Sequence, residues 1–119
     1  MTNNKNSTRY YSSKQEKKVA KKLGGKQVVN SGAPSFVAGD VTTDLFLIEC
    51  KTSTSQKQSV SIKKEWISKN ADEAFAMGKF YSAVAFDFGD GINNYIISEQ
   101  LFKYLNEKLM EDEYENSRN

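Results

Sequence analysis

Apolar residues along the 119-residue chain fall into short runs and helical stripes rather than into one long hydrophobic segment. A run such as Leu45–Ile48 predicts a strand covered on both faces, whereas apolar residues spaced three and four apart predict helices that bury one side. The order of these patterns is helix, three strands, helix, two strands, helix. The sequence therefore predicts a single-domain α/β fold in which helices flank a mixed central β-sheet (αβββαββα).

The first helix is predicted from residues 12–13 to Leu23. Ser13 and Glu16 have the spacing of a capping box, and the glycines at 24–25 supply the left-handed conformation that ends many helices. Glu16 precedes the apolar positions of this helix by three, four and seven residues, and these positions are Val19, Ala20 and Leu23. Glu16 therefore lies at the edge of the predicted buried face, where it either completes the cap or points into a site beneath the helix.

A second helix is predicted from a cap at Ser61 to about Met77, and a third begins at a cap at Ser98. The predicted buried stripe of the second helix is Ile62, Trp66, Ala71, Ala74 and Met77. The predicted stripe of the third helix is Leu101, Phe102, Leu105 and Leu109. Strands are predicted at residues 26–29, 36–41, 45–51, 80–88 and 95–97, with a turn at 42–44.

The chain has no histidine and a single cysteine, Cys50. These counts exclude, within this chain, Ser-His-Asp triads, His-ligated zinc, Cys-only zinc sites and an intramolecular disulfide. Chemistry by this chain alone must use carboxylates, lysine, tyrosine or hydroxyl groups, and a hard cation such as Mg²⁺ suits that set. No segment approaches the ~20 apolar residues that span a bilayer, and the first residues lack the apolar stretch of a secretory signal. We therefore expect a cytoplasmic protein without a membrane partner.

The formal net charge is only +2, but the charges are unevenly distributed. Residues 1–30 contain eight basic side chains and one acid, whereas residues 99–119 contain six acids and three bases. We expect residues 1–11 to be a disordered arm, residues 12–110 to form the domain and residues 111–119 to be an acidic tail. The basic half is consistent either with a solvated lysine-rich helix or with a surface that contacts phosphate groups.

Three charged residues converge in the predicted hairpin, namely Asp40, Glu49 and Lys51. Residues two apart on a strand share a face, so Glu49 and Lys51 point one way and Cys50 points the other. Two acids and a lysine at the end of an apolar strand are costly to leave half-buried without a function. The alternative is an exposed hairpin that carries an ordinary Glu-Lys pair.

The register of the hairpin decides which acids meet. With a turn centred on residues 43–44, Asp40 is predicted to face Leu47 and to lie diagonal to Glu49, about 7–8 Å away at Cα, within reach of one shared cation. Asp44 is the competing acid. It lies five residues from Glu49 and would face the other side of a continuous strand, so a turn role is expected for it.

The segments Ser31–Ala33, Gly39–Val41 and Phe46–Thr52 together resemble the active-site hairpin of the PD-(D/E)XK nuclease superfamily. Within that superfamily the likeness is to small phage-type Holliday-junction resolvases. The resemblance covers Ser13 to about Phe88, which includes the helix that carries Glu16 and the helix and strand after the hairpin. Gly39 stands where the family has a proline before the aspartate, while the Glu-x-Lys pattern is intact.

The resemblance implies a restriction-endonuclease-like core that hydrolyses DNA phosphodiesters with a divalent metal. Asp40, Glu49 and the backbone carbonyl of Cys50 would bind Mg²⁺ or Mn²⁺. Lys51 would orient or help to deprotonate the attacking water, and Glu16 would bind the metal through water or steady the site.

The resemblance also implies branched or duplex DNA as the substrate, a homodimer whose symmetry supplies two nicks, and a phage-encoded protein in a bacterial host. The lysines expected to contact DNA phosphates are Lys14, Lys17, Lys18, Lys21, Lys22, Lys57 and Lys63. Two alternatives stay open, a nuclease of the same core acting on linear or nicked DNA and a nucleic-acid-binding module without turnover. The joint presence of Asp40, Glu49 and Lys51 favours an enzyme.

Overall fold

The apolar segment Phe46–Lys51 forms the central strand of a five-stranded sheet in the computed structural model, which describes residues 8–28 and 40–118 and the side chains from Tyr10 onward. The helices are α1 (Thr8–Leu23), α2 (Lys64–Ala76) and α3 (Glu99–Arg118). The strands are β1 (Lys26–Gln27), β2 (Asp40–Thr42), β3 (Phe46–Lys51), β4 (Tyr81–Phe86) and β5 (Asn94–Ile96). The predicted order of elements and the mixed α/β class are confirmed.

The strands lie in the sheet in chain order, from β1 to β5. Neighbouring strands are antiparallel except for β3 and β4, which are parallel. Parallel neighbours need a long crossover, and α2 provides it between the end of β3 and the start of β4. The predicted hairpin strand at 95–97 is confirmed as β5, which pairs with β4.

The two faces of the sheet have different coverings. On one face Val19 and Ala20 of α1 pack against Val41, Ile48 and Ala85 in the buried core cluster. Since side chains alternate along β3, Leu47, Glu49 and Lys51 point to the other face, where α2 lies. The position of α2 is fixed by Asn70, whose Nδ2 donates to the backbone oxygens of Ala83 at 2.9 Å and Leu47 at 3.4 Å.

The β2–β3 turn lies one residue later than the sequence predicts. Thr43 pairs with Phe46 through a backbone hydrogen bond of 3.0 Å, so Asp44 and Leu45 are the two loop residues. The Thr43 hydroxyl accepts hydrogen bonds from the amides of Leu45 (3.2 Å) and Phe46 (2.9 Å). This side-chain bonding is typical of Thr at the first position of a turn rather than at its centre.

The boundaries of the first two helices also differ from the prediction. α1 begins at Thr8 and not at residues 12–13, so part of the predicted disordered arm is helical; its end at Leu23 before Gly24 (φ +65°) is confirmed. α2 begins after Lys63, which caps it in an extended conformation without a side-chain bond, rather than after Ser61. The buried residues of α2 are Asn70, Glu73 and Ala74, while the predicted core residues Ile62, Ala71 and Met77 are exposed and Trp66 is half-buried.

The predicted cap of α3 is confirmed, because the Ser98 hydroxyl accepts a hydrogen bond from the Leu101 amide at 3.0 Å. The predicted buried stripe of α3 is wrong, since Leu101 is the only buried residue of this helix. The other three stripe residues, Phe102, Leu105 and Leu109, are exposed. α3 continues to Arg118, so the acidic tail is helical through that residue. No helix in the described part of the chain is long and apolar enough to cross a membrane.

Candidate metal centre

Asp40 and Glu49 are direct cross-strand partners in the β2–β3 ladder. The sequence-based register, in which Asp40 faces Leu47, is therefore wrong, and Leu47 pairs with Thr42 instead. The one-residue displacement of the turn moves the pairing by two residues, which keeps Asp40 on the same face of the sheet. Directly opposed residues have Cβ atoms about 4.5–5.5 Å apart, so the two acids lie closer than the diagonal arrangement would place them.

A third carboxylate, Glu73 of α2, completes the group. One oxygen of each of Asp40, Glu49 and Glu73 lies within 4.8 Å of the other two. All three residues are buried, with exposed fractions of 4%, 7% and 7%. We call Asp40, Glu49 and Glu73 the acidic triad.

Several oxygens of the acidic triad have no hydrogen-bond donor within the described residues. They are Asp40 Oδ2, Glu49 Oε2 and both carboxylate oxygens of Glu73. Buried polar atoms are nearly always paired, because an unpaired buried carboxylate oxygen is strongly unfavourable. Three carboxylates that point unpaired oxygens at a common region form the hard donor set that Mg²⁺ and Mn²⁺ prefer. The residues present therefore fit a divalent cation.

The electrostatics of the acidic triad disfavour three negative charges in the metal-free protein. Burial, together with the charges of Glu49 and Glu73, raises the pKa of Asp40 to about 8. Burial likewise raises the pKa of Glu49 and that of Glu73, although the charges of Lys51 and Lys69 act in the opposite direction on Glu49. A bound divalent cation would stabilise the ionised forms and take the place of the protons.

Lys51 lies on the same face of β3 as Glu49, as predicted from their spacing. Its Nζ is 3.9 Å from Glu49 Oε2, an ion pair too long to count as a hydrogen bond. The same Nζ lies 4.9 Å from the centre of the Trp66 ring, a cation–π contact with α2. The ammonium group is thus held between the indole ring and the edge of the acidic triad.

Glu16, the remaining acid predicted for the site, belongs to the helix on the other face of the sheet. Its Oε1 accepts a hydrogen bond from Gln27 Nε2 of β1 at 3.2 Å. Its charge raises the pKa of Asp40 less than burial and the charges of Glu49 and Glu73 do. The structure brings Glu73 into the acidic triad in the place where the sequence suggested Glu16, and the role of Glu16 stays a prediction.

Cys50 occupies the predicted place on the opposite side of β3. Its side chain packs against the core cluster that includes Val19 and Ile48. Burial and the charges of Glu16, Asp40 and Glu49 raise the pKa of the thiol, so it stays protonated. This fits the expectation of a core residue, while metal binding by its backbone carbonyl stays a prediction.

The lysines predicted to contact DNA are all exposed, and most of them lie on the side of the sheet opposite the acidic triad. Five of them lie on α1, which covers the opposite face of the sheet: Lys14, Lys17, Lys18, Lys21 and Lys22. The ammonium group of Lys18 donates to the backbone oxygen of Gly91. Lys57 and Lys63 lie between β3 and α2, where the backbone amide of Lys57 donates to the Phe88 oxygen at 2.8 Å. Phosphate binding by these lysines stays a prediction.

Glu73 is the member of the acidic triad that sequence reasoning missed. A signal was available, because Glu73 is seven residues after Trp66 and therefore lies on the predicted apolar stripe of the second helix. An acid on a buried stripe suggests a site in the way that Glu16 did. The choice between these two acids depends on which helix covers the face that carries Glu49, and a single sequence does not specify that.

No family model, curated protein or solved structure matches the chain. Two segments that carry the resemblance, Ser31–Ala33 and Gly39, lie outside the described residues.

Proposed function

We propose that the protein is a metal-dependent DNA endonuclease that hydrolyses phosphodiesters at four-way junctions. The observation that carries the proposal is the acidic triad with Lys51 beside it. Asp40 and Glu49 are direct partners on a hairpin, and Glu73 joins them from α2. Four of their carboxylate oxygens are buried without a hydrogen-bond donor among the described residues.

The donor set supports a Mg²⁺ or Mn²⁺ ion held by Asp40, Glu49 and Glu73. A divalent ion in such a site polarises a phosphoryl oxygen and makes bound water more acidic. Lys51 would then act in the same reaction, from the edge of the site. Its ammonium group can hold a water molecule or stabilise negative charge on the phosphate in the transition state, since it lies beside Glu49 and is fixed by Trp66.

The substrate class is proposed from the hairpin pattern, because the Asp…Glu-x-Lys arrangement resembles that of junction resolvases. A four-way junction has two-fold symmetry, so paired nicks require two sites, which a homodimer would supply. The exposed apolar residues of α3 support association of two copies.

The test is a cleavage assay with a labelled four-way junction and a linear duplex of the same sequence, each in Mg²⁺, Mn²⁺ or EDTA. We expect metal-dependent nicking of the junction and much weaker cleavage of the duplex. Asp40→Asn and Glu49→Gln should each reduce the rate by more than about 100-fold, because even groups that only orient a metal ligand contribute 10- to 100-fold. Junction binding should persist in both variants.

Asp44→Asn is the matched control, because Asp44 is an exposed acid in the same hairpin. It should cleave at a rate within about twofold of the wild-type protein, as surface substitutions generally have small effects. Equal cleavage of junction and duplex would point to a nuclease of linear DNA instead. Binding of DNA without cleavage in any metal would point to a module without turnover, and loss of activity in Asp44→Asn alone would refute the site.

A further inference from the structure

Gln15 is a buried carboxamide in the middle of a helix that is otherwise rich in exposed lysines. Its exposed fraction is 4%, and its Nε2 lies 2.8 Å from the backbone oxygen of Lys51 and 2.9 Å from Asn93 Oδ1. A third acceptor, the backbone oxygen of Ala85, lies at 3.3 Å. The side chain thus joins α1 to the ends of β3 and β4 and to the turn after β4.

The contact with Lys51 falls at the end of β3. Lys51 is the last residue of the strand, and a long segment without helix or strand follows it before α2. Lys51 is paired with Phe86 of β4, and Gln15 adds a second contact on the Lys51 backbone oxygen. Strand ends with few contacts fray first, so this second contact limits movement of the backbone that carries the Lys51 side chain. The same helix also binds the turn after β4 through Lys18 and the Gly91 oxygen, so the anchor itself is fixed.

We propose that Gln15 is a positioning residue, which fixes the Lys51 backbone and thereby holds the Lys51 ammonium group between Glu49 and Trp66. Gln15 acts across the sheet, from the face opposite the acidic triad. The effect of this contact on catalysis rests on the proposed nuclease function, whereas its effect on the position of Lys51 does not.

Lys79 provides a matched control at the other end of β3. Its Nζ also donates to a backbone oxygen, that of Thr43, at 2.7 Å in a partly buried contact. Thr43 lies in the turn that precedes β3, away from Lys51. Loss of either side-chain donor removes a contact with the backbone, but only loss of Gln15 should move Lys51.

The test uses Trp66, the only tryptophan in the chain, as a local probe. An ammonium group held over an indole ring places its neighbouring Cε methylene protons in the ring current, which shifts their NMR resonance upfield. We expect this shift of Lys51 in the wild-type protein, with Trp66→Leu as the reference without a ring. In Gln15→Met, which keeps a similar volume without donors, at least half of the shift should disappear, whereas Lys79→Met should retain it.

The catalytic readout is the steady-state rate on the junction substrate. Gln15→Met should reduce kcat about 10- to 100-fold with little change in KM, because a small misplacement of a reacting group has effects of that size. Lys79→Met should lower the melting temperature but leave kcat within about threefold. Retention of both the ring-current shift and kcat in Gln15→Met would overturn the proposal.

Two further outcomes separate this proposal from the proposed function. If the wild-type protein cleaves no DNA but Gln15→Met still abolishes the ring-current shift, the nuclease assignment fails and the positioning role holds. If Gln15→Met does not fold, the wild-type protein decides the matter through the Gln15 side-chain amide protons. Slow exchange with solvent and NOEs to Lys51 support the anchor, and rapid exchange without them contradicts it.

Discussion

Asp40 is the residue at which stability and the proposed function oppose each other. Its carboxyl group has an ordinary pKa of 3.8 in the unfolded chain and a pKa of about 8 in the fold, chiefly because of burial. Between these values the folded metal-free protein binds more protons than the unfolded chain does. The free energy of unfolding therefore falls as the pH rises through this window, and the contribution of a protonated Asp40 is lost above it.

The direction of this pH dependence gives a prediction for the Asp40→Asn variant in EDTA. The variant has no carboxyl group to ionise at this position, so it should melt about 5 °C or more above the wild-type protein at pH 8 and by a smaller margin at pH 5. Thermal unfolding followed by circular dichroism between pH 5 and pH 8 measures the difference.

Two comparisons make the pH prediction specific. Asp44→Asn, on the exposed turn, should not show a difference that grows with pH. Added Mg²⁺ should raise the melting temperature of the wild-type protein and leave that of Asp40→Asn nearly unchanged, since only a folded site that binds the ion is stabilised by it. A variant that melts below the wild-type protein at pH 8 would show that Asp40 is not held in an unfavourable ionised state.

Glu73 and Glu16 are the two candidates for the third acid of the site, and they lead to different predictions for metal affinity. Glu73 shares the acidic triad, whereas Glu16 is hydrogen-bonded to Gln27 on the other side. We expect Glu73→Gln to weaken Mn²⁺ binding by at least about 10-fold and Glu16→Gln to weaken it less than about threefold, as measured by calorimetric titration. A larger loss in Glu16→Gln would reverse the assignment and support a water-mediated contact from α1.

At the level of residues, what the sequence could predict was set by short-range geometry. The alternation of side chains along one strand places Glu49 and Lys51 together and Cys50 opposite, and the structure agrees because that alternation does not depend on the rest of the fold. Glu73 reaches the same point through a separate helix, whose face and docking side depend on tertiary packing. Its membership in the acidic triad therefore could not be derived from spacing.

At the level of elements, types were predicted better than boundaries and burial. The turn between β2 and β3 lies one residue later than predicted. The Thr43 hydroxyl accepts hydrogen bonds from the amides of Leu45 and Phe46, which places Thr43 at the first position of the turn, a preference that the composition of the segment did not reveal. Asp40 and Glu49 share a face of the sheet in both registers, since a shift of the turn by one residue moves the ladder by two and preserves the face. A conclusion drawn from side-chain parity was therefore more robust than one drawn from the exact register.

The helices illustrate a different cause of error. The apolar positions of α2 suggested a stripe that included Ala71 and Met77, but polar Asn70 and Glu73 occupy the buried side. Asn70 is tolerated there because it bonds to the backbone of two strands, and Glu73 is a member of the acidic triad. Hydrophobic patterning identifies a buried face poorly when that face carries buried polar groups with specific partners.

At the level of the whole molecule, α3 is the element whose apolar side chains the described fold leaves largely exposed. The three exposed stripe residues lie within one arc of the helix, with Phe102 and Leu109 each more than 60% exposed. Such a surface on an otherwise polar helix is typical of a contact with another protein surface. In the proposed homodimer this contact would be made by the same helix of a second copy.

The corresponding prediction concerns mass in solution. The chain of 13.4 kDa should sediment as a dimer at micromolar concentration, and Leu105→Glu should shift it to the monomer. Gln100→Glu is the matched control, because it adds the same charge on the same helix away from the stripe, and it should stay dimeric. A wild-type protein that sediments at 13.4 kDa at all concentrations would exclude association through α3.

Cys50 carries the single thiol of the chain, and its side chain lies on the face of β3 opposite the acidic triad. This position makes the thiol a probe of the fold. Cys50 is half-buried and is held protonated against the α1 side of the core, so it reacts slowly with thiol reagents. A change in its labelling rate therefore reports a change in the cover that α1 gives to this face of the sheet, without any engineered probe. Glu49 and Lys51 are the chain neighbours of Cys50. The labelling rate measured with and without divalent cations would therefore show whether a cation bound on one face of β3 reduces motion on the other face.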